Sequence, residues 1–157
     1  MRKTLLLLVV LGLAGSLWAA DPNLGTWKLN LAQSKFSPGY AVPKELTEVF
    51  TAVGDQIEVT ITGTAADGKP ISIKATYPQG GGLAKVTTPP SASSAPLTAV
   101  ITVVSRSSSY LTILKDGKQQ RFGYGVVSQD GKTRRATTKG KSDDGKPVNN
   151  IEVFDKQ

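Results

Sequence analysis

Cysteine and histidine are both absent from the 157 residues, and the single methionine is Met1. Without cysteine there is no disulfide, no thiolate nucleophile and no cysteine-ligated metal. Without histidine there is no Ser-His or Cys-His catalytic pair and no imidazole ligand for zinc or haem. The chain contains no G-x-x-x-x-G-K-[ST] loop, and Gly80-Gly81-Gly82 lacks the strand-to-helix setting that a phosphate loop needs. No S-x-x-K dyad is present, and the carboxylates fall mostly in turn-like stretches such as Asp143-Asp144. The residues therefore point to no catalytic group, no metal and no cofactor, and an enzyme is not expected.

The composition is that of a globular protein: 39% hydrophobic, 20% charged, with 16 Gly and 9 Pro. Its length suits one domain. The first twenty residues stand apart. Arg2 and Lys3 precede an apolar run from Thr4 to Trp18, then Ala19-Ala20 and the polar Asp21-Pro22-Asn23. That order is expected of a secretory signal peptide over residues 1–20, since the run is shorter than the ~20 residues a spanning helix needs. No cysteine follows it to carry a lipid anchor. The expectation is a secreted or periplasmic protein, residues 21–157, with no membrane span after signal removal. Losing Arg2 and Lys3 lowers the net charge from +7 to +5. The surplus lies in the C-terminal half, residues 91–157, where Arg121, Lys132, Arg134, Arg135, Lys139, Lys141 and Lys146 concentrate in the last three expected strands.

From Leu24 onward the chain alternates apolar and polar residues in short runs. Trp27, Leu29 and Leu31 share one face of the first run. Ile57, Val59 and Ile61 share a face of another, as do Ile71, Ile73, Ala75 and Tyr77. Asp-Gly-Lys recurs at Asp67, Asp116, Asp130 and Asp144, and Asp-Gly suits the positive φ angles of a type I′ hairpin turn. None of the four has the further oxygens of a calcium loop. Residues 79–96, rich in Gly, Pro and Ser, read as a long mobile loop with room for a short strand at 84–87. The fold expected is all-β: a single antiparallel meander of about eight to ten strands, closed into an up-and-down barrel so that no edge is exposed.

Gly25-Thr26-Trp27 at the head of the first strand resembles the G-x-W feature of the lipocalins and the wider calycin group. The segments 23–30, 34–39 and 145–150 resemble a group of secreted bacterial proteins with a G-T-W-K-L-N start. The resemblance implies a lipocalin-like barrel in which Trp27 plugs one end under a basic residue, Arg134 or Arg135. Phe50, Tyr77, Ile101, Phe122, Tyr124 and Phe154 are expected to face inward and form the ligand-binding wall. The leading expectation is a binding protein for a small, largely apolar molecule. The alternative is a non-catalytic interaction module that grips anionic envelope polymer, or a protein partner, through its basic C-terminal strands. Export argues against nucleic acid.

Overall fold

The structure, a computed structural model, describes residues 21–87, 98–142 and 144–157. The expected signal peptide, residues 88–96 of the expected loop and Asp143 lie outside them. Ten antiparallel strands follow in chain order: β1 (Gly25–Leu29), β2 (Glu45–Val53), β3 (Gln56–Thr64), β4 (Pro70–Pro78), β5 (Gly82–Thr87), β6 (Thr98–Ser105), β7 (Ser108–Lys115), β8 (Lys118–Val127), β9 (Thr133–Lys141) and β10 (Pro147–Lys156). Each pairs with its neighbour in sequence, and β1 also pairs with β10, so the sheet closes into a barrel. Strand β5 occupies much of what the Gly-rich composition marks as loop. It holds only three residue pairs with each neighbour.

Register decides which side chains enter the barrel, because alternate residues point to opposite faces. Trp27 and Phe154 are fully buried and fix the inner phase of β1 and β10. Pairing carries that phase round the wall: Phe154 opposes Arg134, Arg134 opposes Val127, and Gly125 opposes Ser109. In the other direction Gly25 opposes Phe50, Phe50 opposes Val59, and Ile57 opposes Tyr77. The two routes agree where β5 meets β6.

Packing inside is lopsided. Trp27, Leu29, Val127 and Phe154 form a buried cluster joined by Phe36, Leu46, Phe50 and Ala136. Across the barrel, Ala84 is the only buried residue among the described inward positions of β4 to β7. Val86 and Val103 point inward yet keep 37% and 41% of their surface exposed. One wall is packed and the opposite wall lines space.

The turns refine the hairpin expectation. Only Asp116-Gly117 has positive φ at both residues (52° and 72°), as type I′ requires. At Gly68, Gly131 and Gly145 the glycine alone is left-handed, and its amide donates to the carbonyl three residues back, 2.9 Å in each case. The preceding aspartate carboxylate instead accepts a backbone amide, Lys69 N at 3.1 Å for Asp67 and Lys132 N at 3.1 Å for Asp130. Asp-Gly serves here as a type I turn ended by a left-handed glycine.

The connection from β1 to β2 crosses one end of the barrel as a strap. Lys35 bridges to Ile151, Ser34 Oγ accepts the amide of Val153 at 3.0 Å, and the side-chain carbonyl of buried Asn150 accepts the amide of Ser37 at 2.9 Å. Asn150 thus has a structural reason to be inside. Gly140, at φ 136°, sits where a Cβ would lie 2.2 Å from the carbonyl oxygen of Gln120. Gln120 is the extra residue of a bulge in β8, and only glycine fits against it.

Candidate functional site

The barrel interior carries charge that the apolar reading of the sequence does not foresee. Glu48 shares the inward phase of β2 with Leu46 and Phe50, and Glu152 that of β10 with Asn150 and Phe154. Arg134 enters from β9 and pairs through a short contact with Glu48; both side chains are mostly buried. Its guanidinium also lies 4.9 Å from the Phe50 ring centre and 5.2 Å from that of Phe154. A planar cation between aromatic faces and a carboxylate is well satisfied in a low-dielectric interior.

This pair separates two cavities. Arg134 and Phe50 line one of about 200 Å³ at the Trp27 end, together with Ile57, Tyr77 and Val103. Glu48 and Glu152 line the other, about 550 Å³, beneath the strap, with Leu46, Ile61, Ile71 and Ile73. Burial pushes the Tyr77 phenol above its ordinary pKa, against the pull of Arg134. Burial raises Glu152 much further, to about 7, with Glu48 adding to the rise and Arg134 and Arg121 opposing it.

The Glu152 shift has a measurable consequence. A carboxylate whose pKa is about 7 folded and 4.5 unfolded holds its proton more tightly in the folded state. Its contribution is fully present below pH 4.5 and is lost as pH rises through 7, by about 3 kcal/mol in all. Glu152→Gln should match the parent at pH 4 and exceed it by up to that amount at pH 8. Urea unfolding of both proteins at the two pH values checks this, and an equal difference at both would refute the burial of Glu152.

The residues expected at the ligand wall divide. Phe50 and Tyr77 line the Trp27-end cavity. Ile101 faces inward on the loosely packed wall, opposite Leu111. Phe154 faces inward but belongs to the buried cluster. Phe122 and Tyr124 are corrected: they lie on the outer face. Gly123 and Gly125 hold the inward positions between them, and a Cβ at Gly125 would sit 3.8 Å from Arg134 Nε. A methyl at Gly125 would touch the guanidinium, and a longer side chain there would compete with it for the same space. The two aromatics instead pack outward against Tyr110 in tilted pairs, with ring centres 4.9 and 5.0 Å from its own.

The plug is also corrected in part. Trp27 is fully buried as expected, and its indole N–H donates to the carbonyl of Asn23 at 2.8 Å. The cation over its ring is the Lys156 ammonium, 4.9 Å from the centre, because Lys156 is the residue paired with Trp27 across β1 and β10. Arg134 covers Phe50 and Phe154 instead, and Arg135 is exposed on the outer face. The signal that could place Glu48 inside is its alternation with Leu46 and Phe50. Glu152 offers no such signal, since Ile151 and Val153 make the opposite phase of β10 equally apolar.

Strand order and closure define the class: an up-and-down, ten-stranded antiparallel β-barrel. No family model matches the sequence, and no curated protein does. Solved structures with a similar chain course include EF1p2_mFAP2b bound to DFHBI, at 15% identity and a TM-score of 0.45 over 88% of this chain and 97% of that one. A redesigned β-barrel, mFAP1, bound to DFHBI gives 15%, 0.41, 88% and 98%. Zebrafish ileal bile acid-binding protein with cholic acid gives 13%, 0.46, 87% and 99%. The strand pairing described above, not these likenesses, defines the fold. Among the described residues no group of acidic side chains is placed to hold a metal, and no helix is long and apolar enough to cross a membrane.

Proposed function

We propose that the protein is an exported carrier or sensor that holds a small, largely apolar molecule inside its barrel. One observation carries this reading: Val86 and Val103 turn inward and remain solvent-exposed, so the barrel contains apolar wall that nothing in the described chain covers. Apolar surface facing a cavity favours an apolar occupant. Barrels of about this strand number enclose room for one small ligand. The order of charged, apolar and small residues in positions 1–20 supports export, as does the likeness of the G-T-W-K-L-N start to secreted bacterial proteins. Terminal sequencing of the exported protein should find Asp21, or a residue next to it, at the N-terminus; Met1 intact on exported protein would refute the signal.

A neutral fluorophore such as Nile red should bind at one saturable site. Salt should change its affinity little, because burial drives the binding and screening does not touch it. Ile101→Arg should abolish binding, and Phe122→Ala, on the outer face, should leave it intact. The polymer-gripping alternative loses Arg134, which is paired inside, and keeps Arg135, Lys139 and Lys141 on the outside of β9. It predicts no fluorophore binding, and adhesion to anionic polymer that falls steeply with salt.

A further inference from the structure

We propose that the cavity beneath the strap is a second site, and that it takes an amphiphilic ammonium ion. The amine head would meet Glu152 and Glu48, and the apolar body would lie on Leu46, Ile61, Ile71 and Ile73. This inference does not rest on occupancy of the Trp27-end cavity, since the two spaces are lined by different residues.

Three observations converge on it. The cavity holds about 550 Å³, within the range that accommodates a small organic molecule. Its deep polar contacts are carboxyl groups on strands β2 and β10, so a ligand there must present hydrogen-bond donors. The aliphatic wall requires that the rest of the ligand be apolar. Glu152 makes no hydrogen bond or ion pair with another described residue, while Glu48 is already held by Arg134. A carboxyl group turned into a cavity without a partner leaves strong acceptor capacity unused, and a buried polar group in that state is costly. Tyr40, from the strap, adds an aromatic face to the same cavity, where a cation is favoured.

Among the described residues, each charged group that acts on Glu152 or lines its cavity has a place in this scheme. Glu48 on β2 lies beside it and repels its ionised form. Arg134 on β9 is bound to Glu48 and opens on the other cavity. Arg121 on β8 lines a separate recess with Tyr40 and Ala41. Asp67 sits at the outer rim, paired with Lys69 at 2.8 Å. Burial holds Glu152 largely protonated at pH 6. An ammonium ion arriving beside it supplies the missing counter-charge and favours the carboxylate. Binding near pH 6 therefore releases a proton from Glu152 to solvent, toward one per ligand bound.

Titration calorimetry of the whole protein with octylammonium, octanol and octanoate separates the possibilities, because the three share one apolar body. At pH 6, in two buffers of different ionisation enthalpy, octylammonium should bind at one site with proton release. It should bind about tenfold or more tighter than octanol, the scale of a hydrogen-bonded charge in a buried site. Glu152→Gln, which keeps shape and volume, should remove the proton release and reduce octylammonium affinity by about the same factor. Its Nile red binding should be unchanged, which shows the barrel intact and keeps this outcome distinct from failure of the carrier reading. Tyr40→Leu, in the strap, should weaken octylammonium more than octanol. Equal affinity for the ammonium and the alcohol, tighter binding of octanoate, or no effect of Glu152→Gln on affinity and proton release would each overturn the proposal.

Discussion

Replacing Trp27 with alanine should destabilise the protein by about 3–5 kcal/mol, the range for truncating a buried large aromatic. The side chain is fully buried against Leu29, Val127 and Phe154. Three losses combine: the apolar area, the indole hydrogen bond to Asn23 and the ring beneath the Lys156 ammonium. The N-terminal segment is held there too, since Lys156 Nζ donates to the carbonyl of Pro22 at 3.1 Å. Lys156→Ala should cost much less, about 1 kcal/mol, because a partly exposed cation over a ring contributes little more. Denaturant unfolding with far-ultraviolet circular dichroism measures both. A Trp27→Ala loss near zero would mean that the barrel end is not closed as described.

Arg134→Ala should cost as much, about 3–5 kcal/mol at pH 8, for a different reason. Removing one member of a buried ion pair strands the other, and the penalty is mostly that of the uncompensated charge. Glu48 would be left inside the barrel with Glu152, two strands away on β10, and the rings of Phe50 and Phe154 would lose the cation between them. The loss should shrink as pH falls through about 7, where Glu152 takes up a proton and no longer adds its charge to that of Glu48. Arg134→Met combined with Glu48→Leu should recover most of the stability, since a well-packed apolar replacement of both partners is close to neutral. A double-mutant cycle at pH 8 measures the coupling. Additive losses would show that Arg134 and Glu48 do not meet in solution.

Much of the barrel is legible in the sequence because it depends on local chemistry. Ile57-Glu58-Val59-Thr60-Ile61 can bury only one face, so strand and phase are both given. Glycine after aspartate marks the hairpins, although the conformation it adopts at Asp67, Asp130 and Asp144 differs from the type I′ expected. Register across strands is a non-local property, and the failures come from there. Phe122-Gly123-Tyr124-Gly125 alternates large and absent side chains, and hydrophobicity alone turns the rings inward. The pairing with β9 puts the two glycines inward, and the guanidinium of Arg134 lies in the space inside Gly125. The resemblance implies Arg134 or Arg135 over Trp27, but the closing pair of strands places Lys156 there. The interior charges follow the same logic: a glutamate is seen to be inside only when the phase of its strand is known, and β10 is apolar on both faces.

The carrier reading turns on where an apolar molecule sits, and isotope-filtered nuclear Overhauser spectroscopy of the Nile red complex reports that directly. Contacts between the fluorophore and the side chains of Tyr77, Ile101 and Val103, with none to Tyr110, Phe122 or Tyr124, are the result expected for a ligand held within the barrel. Contacts confined to the outer aromatic stack of β7 and β8, with the inward side chains silent, would contradict it.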